Sequence, residues 1–181
     1  MNNKKFDGVY YPVREITDLK DMIVSSSELF ADRTAYLQKE KTGGEFLPVT
    51  YGTFREKMDA LGTKLLDMGL AGEKIAVVGE SCYQWILSYF AVTCGVGVIV
   101  PLDKNLPNEE MKNLVRRSGA KALIYTKRSE KQFADLFENP YDVEYFISIG
   151  QQEHSDKSLA WEKLIEEGYD LIDDGNTAYT D

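Results

Sequence analysis

From residue 74 onward the chain alternates short, unbroken apolar runs with longer segments of mixed character, and this alternation predicts most of its architecture. The runs 74–79, 96–102, 121–126 and 143–148 are too short for helices and carry apolar side chains at consecutive positions instead of every second one. Strands of that kind bury both faces, as in a parallel sheet covered by helices on each side. The intervening segments 83–94, 107–118 and 130–137 read as helices, so the region is predicted to hold three successive βαβ units joined by right-handed crossovers. Upstream, Leu19, Met22, Ile23, Ser26, Leu29 and Phe30 recur at three- and four-residue intervals, one face of a helix that Asp18 can cap. Two extended runs, 34–40 and 45–49, flank Lys41-Thr42-Gly43-Gly44 and predict a β-hairpin. A helix opening at Thr50 follows, with Phe54, Met58, Leu61 and Leu65 on one stripe and Gly69 placed to close it in a left-handed conformation. The predicted fold class is α/β: a parallel sheet with helices on both faces, plus an N-terminal helix and a β-hairpin.

The charges on the helix from Pro107 complement its dipole, with Glu109 and Glu110 in the first turn, Arg116 and Arg117 in the last, and Gly119 beyond. The helix from Tyr83 is apolar almost all round (Trp85, Ile86, Leu87, Tyr89, Phe90, Ala91, Val92) and is expected to be a central helix buried on more than one side. Residues 81–102 contain no charge and are long enough to suggest a membrane span, but Gly95, Gly97 and Pro101 interrupt them, and Val96, Val98, Ile99 and Val100 suit a strand. Trp161, Leu164 and Ile165 predict one more short helix. The expected organisation is a polar arm over 1–17, one compact unit over 18–167, and an acidic tail over 168–181 carrying Asp170, Asp173, Asp174 and Asp181.

Thirty acidic residues against twenty-one basic ones give a formal charge of −9, which argues against nucleic acid and anionic membranes as partners. The two cysteines, Cys82 and Cys94, lie in the apolar stretch and read as buried, reduced thiols, and residues 1–7 lack the apolar run of a secretory signal. A cytoplasmic location is expected.

Candidate chemistry is sparse. Gly43-Gly44 could cradle a phosphate, but no helix start follows them; Arg116 and Arg117 could hold an anion, but the helix dipole accounts for them. In the turn after the first parallel strand, Gly79-Glu80-Ser81-Cys82 offers little to a dinucleotide, because Glu80 would oppose a phosphate and no Gly-x-Gly-x-x-Gly follows. A phosphoacceptor module would also want an acidic residue where Tyr125-Thr126-Lys127 ends the third strand. Ser81 is better placed to cap a helix than to act as a nucleophile, since the sole histidine, His154, falls in the polar segment 151–155 and reads as a surface loop residue. Glu153 and Asp156 flank it as a solvated charge run, not a metal site.

The succession Val49-Thr50-Tyr51-Gly52-Thr53-Phe54, Leu65-Leu66-Asp67-Met68-Gly69-Leu70 and Lys74-Ile75-Ala76-Val77-Val78-Gly79-Glu80 resembles the opening of AMP-forming acyl-CoA synthetases and related adenylate-forming enzymes. Trp85 to Asp103, Leu106-Pro107-Asn108-Glu109-Glu110 and Ser118-Gly119-Ala120-Lys121-Ala122-Leu123-Ile124-Tyr125 continue it in order. Gly79-Glu80-Ser81, Gln84-Trp85 and Val100-Pro101-Leu102-Asp103-Lys104 look closest to bacterial long-chain fatty-acid–CoA ligases. The resemblance covers roughly residues 11–167 and rests on order, no single motif being diagnostic.

It implies a parent enzyme that joins a carboxylate to AMP using ATP and Mg²⁺, then lets coenzyme A displace the AMP. The family's hydroxyl- and glycine-rich loop ending in Lys does not occur in this sequence, nor does its aromatic-Gly-x-Thr-Glu segment. The resemblance therefore implies a truncated, inactive leading portion, with no catalytic, cofactor-binding or metal-binding residue assigned here and the remainder of its own polypeptide as partner. Self-association of such a fragment is expected. Adenylation of an aryl, amino or short-chain acid, and a freestanding flavodoxin-like binding module, remain alternative readings.

Overall fold

Asp18 caps the first helix: its carboxylate accepts a hydrogen bond from the Asp21 amide at 2.8 Å, and α1 (Leu19–Phe30) follows. The computed structural model describes residues 14–39 and 43–181, so most of the expected arm, 1–13, lies outside the described residues. β1 (Thr34–Gln38) and β2 (Leu47–Thr50) form the predicted antiparallel hairpin, with Gly43 at φ +79° in its loop; positions 40–42 of that loop fall outside the described residues. The Thr50 hydroxyl accepts from the Thr53 amide at 3.1 Å and starts α2 (Tyr51–Asp67), and Gly69 closes it at φ +82°.

The main sheet has five parallel strands: β3 (Lys74–Val78), β4 (Val98–Leu102), β5 (Ala122–Thr126), β6 (Tyr145–Ile149) and β7 (Leu159–Ala160), in the order β4-β3-β5-β6-β7. Four are the predicted strands, and the fifth is two residues long, below the length at which periodicity is visible. Their apolar runs divide between two cores as expected. Ile75, Val77, Ile124 and Ile147 face one core, shared with α1, α2, α3 (Tyr83–Ala91) and α6 (Trp161–Asp173). Ala76, Val78, Leu123 and Tyr125 face the other, under α4 (Asn108–Ser118) and α5 (Ala134–Glu138), where Met111, Val115, Phe133 and Leu136 are buried. Each fully buried side chain of this size contributes roughly 1.5–3 kcal/mol.

Four expectations need correction. The helix expected over 83–94 ends at Ala91 and passes into a π turn, Val92–Val96. It buries Tyr83, Leu87, Ser88 and Ala91 against the sheet and α2, while Trp85, Ile86, Tyr89 and Phe90 are only partly covered, so it is a layer helix and not one enclosed on several sides. The stretch expected to be helical over 130–137 is a 3₁₀ segment, Lys127–Phe133, followed by the short α5, because only Ser129, Phe133 and Leu136 are buried there.

The acidic tail read over 168–181 is not a tail. Its first part completes α6, with Gly168 buried and Asp170 and Asp173 on the exposed face, and the chain then folds back to bury Tyr179 to 1% exposure. Gly and Asp are weak helix formers, which hid the continuing period.

Candidate functional site

Strand order decides where a ligand could sit. From β3 the chain steps to β4 on one side, then crosses back to β5 on the other, so the loops leaving β3 and β5 diverge at their carboxyl ends. In open α/β sheets that divergence is the usual ligand crevice. A cavity of about 580 Å³ lies there, bordered by Glu80, Cys82, Thr126, Lys127, Arg128 and Gly150, with Lys39 and Gly43 of the hairpin at its rim.

Next to the crevice, Gly79 sets how closely the two loops approach. At φ +143° it holds a conformation few side chains tolerate, and a Cβ there would stand 2.5 Å from the Thr126 methyl. Glycine therefore lets Thr126 reach across the two loops: its hydroxyl donates to Glu80 Oε2 at 2.5 Å and lies 3.2 Å from the Ser129 hydroxyl. Lys104 Nζ approaches the other Glu80 oxygen at 3.8 Å. The Thr126 hydrogen bond holds the Glu80 carboxyl below the usual carboxylate range against an opposing desolvation, with help from its own backbone amide and the Lys104 and Arg128 charges. Glu80 stays ionised, which suits a strut between two loops better than a proton-transfer group.

Beside it, Ser81 is exposed and does not cap α3. Cys82 holds the cap position in extended conformation (φ −139°, ψ 166°). Burial raises the Cys82 thiol above its ordinary value, against the pull of the Trp85 and Gln84 amides, so it stays protonated and a poor nucleophile. Burial likewise raises Cys94.

Other residues weighed from the sequence fall elsewhere. Arg116 and Arg117 sit in the last turn of α4, where Arg116 bonds Asn113 at 3.2 Å. His154 is engaged at both ring nitrogens, by Glu167 and by the Ala160 amide, and Glu153 lies 3.7 Å from Lys163. Sequence reasoning missed Thr126, Lys127 and Arg128 as crevice residues; their only signal was position at a strand's carboxyl end, which gains meaning once the strand order is known.

Three cations that line the crevice, Lys39, Lys127 and Arg128, suit an anionic group, whereas Glu80 among them opposes one. Among the described residues no group of three or more His, Cys, Asp or Glu side chains converges as a metal site would require. No helix among the described residues is long and apolar enough to cross a membrane.

The profile of a family described as AMP-binding enzyme matches residues 25–173. The chain is 26% identical over 89 residues to a mitochondrial medium-chain acyl-CoA ligase of Pongo abelii, covering 49% of this chain and 14% of that protein. It is 27% identical over 125 residues to a dapdiamide synthesis protein of Enterobacter agglomerans, covering 69% and 20%. Among solved structures, a long-chain-fatty-acid–CoA ligase from Archaeoglobus fulgidus superposes with a TM-score of 0.72 at 21% identity, over 88% of this chain and 31% of that one. Coronafacic acid ligase from Pectobacterium brasiliense gives 0.73 at 21% identity, over 85% and 30%. The chain therefore spans a fifth or less of those curated relatives and under a third of those structures.

Proposed function

The chain belongs to the AMP-binding enzyme family, and on that premise we propose that it is the leading part of an AMP-forming ligase that activates a carboxylic acid for transfer to a thiol. ATP supplies the adenylate that turns the carboxylate into a mixed anhydride, and both reactants are anions, so the reaction needs charge neutralisation and exact placement. One observation carries the reading: a family match running in order through residue 173 on a switch-point fold whose crevice gathers cations. The part played by these residues is scaffolding, with Gly79, Glu80 and Thr126 fixing the two loops that flank the crevice.

For the acid we propose a long-chain fatty acid, supported by the resemblance of Gly79-Glu80-Ser81, Gln84-Trp85 and Val100 to Lys104 to bacterial long-chain ligases. Coenzyme A is the proposed acceptor, and the remainder of the polypeptide the proposed partner. A reducing compartment, the cytoplasm, suits two unpaired thiols.

Acid-dependent ATP–pyrophosphate exchange tests this. The 181-residue chain alone is expected to give none, and the longer polypeptide of the same gene to exchange faster with hexadecanoate than with benzoate or an amino acid. Robust exchange by the 181-residue chain removes the leading-part reading. Preference of the longer protein for benzoate replaces the fatty acid while leaving the ligase in place.

A further inference from the structure

His154 is the only histidine of the chain, and its ring joins three pieces of structure. Nδ1 accepts a hydrogen bond from the Ala160 amide at 3.0 Å, and Nε2 stands 2.7 Å from Glu167 Oε1. A ring nitrogen accepts only when it carries no proton, and an ionised carboxylate only accepts, so these contacts select the neutral ring with its proton on Nε2. Ala160 ends β7 and precedes the first residue of α6, Glu167 lies on α6, and His154 itself belongs to the 150–158 loop. Glu167 Oε2 in turn pairs with Lys64 of α2 at 3.1 Å, and Lys64 with Asp67 at 3.2 Å.

Adding a proton reverses one contact and keeps the other. An imidazolium has N–H at both positions, so Nδ1–H would meet the Ala160 N–H donor to donor. The bond to Glu167 becomes an ion pair and holds. Burial pushes the Glu167 carboxyl up, but the His154 and Lys64 hydrogen bonds outweigh it and keep the group below the ordinary carboxylate range, so Glu167 remains an anion while an imidazole titrates. The charged groups on the packed elements are Glu162, Lys163, Glu166 and Glu167 on α6, Lys64 and Asp67 on α2, and Glu153, Asp156 and Lys157 on the loop; Lys163 is turned to Glu153 and Glu166, leaving Glu167 as the ring's own bonded partner.

We propose that His154 is a proton-controlled latch: neutral, it pins the 150–158 loop to the head of α6; charged, it releases the Ala160 amide and loosens the edge of the sheet. The edge is sensitive because β7 holds only two paired positions, Leu159 opposite Ile147 and Ala160 opposite Ser148. The same loop begins at Gly150, which with Ile149 borders the crevice, so the latch acts on one wall of the candidate site.

Nuclear magnetic resonance on the isotope-labelled 181-residue chain tests it, reading the His154 ring tautomer and the hydrogen-exchange protection of the Ala160 amide across about pH 5–8, the range in which an imidazole titrates. We expect the Nε2–H tautomer at the alkaline end. Ala160 protection, corrected for intrinsic exchange, should fall about tenfold as the ring gains its proton, the factor equivalent to about 1.4 kcal/mol. His154→Asn, whose Oδ1 can accept from Ala160 without titrating, should keep protection flat with pH. His154→Ala should lose protection at both ends of the range, and if it fails to fold the Asn variant decides. An Nδ1–H tautomer at alkaline pH, flat Ala160 protection in the unaltered chain, or the same acid loss in His154→Asn would each overturn the latch.

Discussion

Tyr179 gives the sharpest test of how this chain is held together. Its ring is 1% exposed and occupies a socket between Gly62 of α2 and Gly95 of the π turn; its hydroxyl donates to the Ala91 carbonyl at 2.9 Å, and Lys20 of α1 donates to its carbonyl at 2.9 Å. Tyr179→Ala removes a fully buried aromatic ring and should destabilise by about 3–5 kcal/mol. Tyr179→Phe loses only the hydroxyl contact and should cost about 1 kcal/mol. Gly62 provides the second arm. A Cβ built there would overlap the Tyr179 ring, so Gly62→Ala should destabilise by roughly 2–3 kcal/mol even after the helix-propensity gain of about 1 kcal/mol. With Tyr179 already changed to Ala the overlap is gone, and Gly62→Ala should then be neutral or stabilising by up to about 1 kcal/mol. The cycle therefore predicts a change of sign with a coupling near 3 kcal/mol. Urea unfolding followed by tryptophan fluorescence measures each corner, and at this chain length the Tyr179→Ala loss corresponds to a melting shift of roughly 6–20 °C. A Tyr179→Ala variant within about 0.5 kcal/mol of the unaltered chain, as for an ordinary surface position, would refute the buried-plug reading and restore the free acidic tail.

Two further outcomes are expected. Because the Glu80 carboxyl is held below its unfolded value, chiefly by the Thr126 hydroxyl, its contribution to stability is fully present above the ordinary glutamate pKa of about 4.3 and is lost as pH falls through the depressed value. Thr126→Val should move the Glu80 titration upward in a magnetic-resonance pH series and remove that acid-side dependence; an unmoved titration would show that the hydroxyl is not the cause. Sedimentation of the 181-residue chain should show concentration-dependent self-association through the partly covered Trp85, Tyr89 and Phe90 face of α3 and the β4 edge, where Val98 is 53% exposed. A strict monomer at high concentration would exclude it.

Much of the scaffold was legible locally. Consecutive apolar positions at Ile75 to Val78 and at Ala122 to Tyr125 could be satisfied only by burial on both faces, and the structure buries them all. Asp18 and Thr50 announced helix starts because a short oxygen-bearing side chain satisfies an amide three residues ahead. The candidate site was not legible in the same way. Glu80 was read from its own turn as an obstacle to phosphate, whereas in the fold it braces Thr126, 46 residues away in sequence. His154 is the surface loop residue its polar segment predicted, but neither Ala160 nor Glu167 announces itself as its partner.

The sequence alone determined the α/β class, four of the five parallel strands, the hairpin and the caps of α1 and α2, since each depends on neighbours within a few residues. Tertiary structure decided the strand order that opens the crevice between β3 and β5, the short fifth strand, and the fate of the last residues. Those features rest on contacts between distant segments, as where Tyr179 meets Ala91 across 88 residues, and a pattern of period two or three and a half carries no record of them.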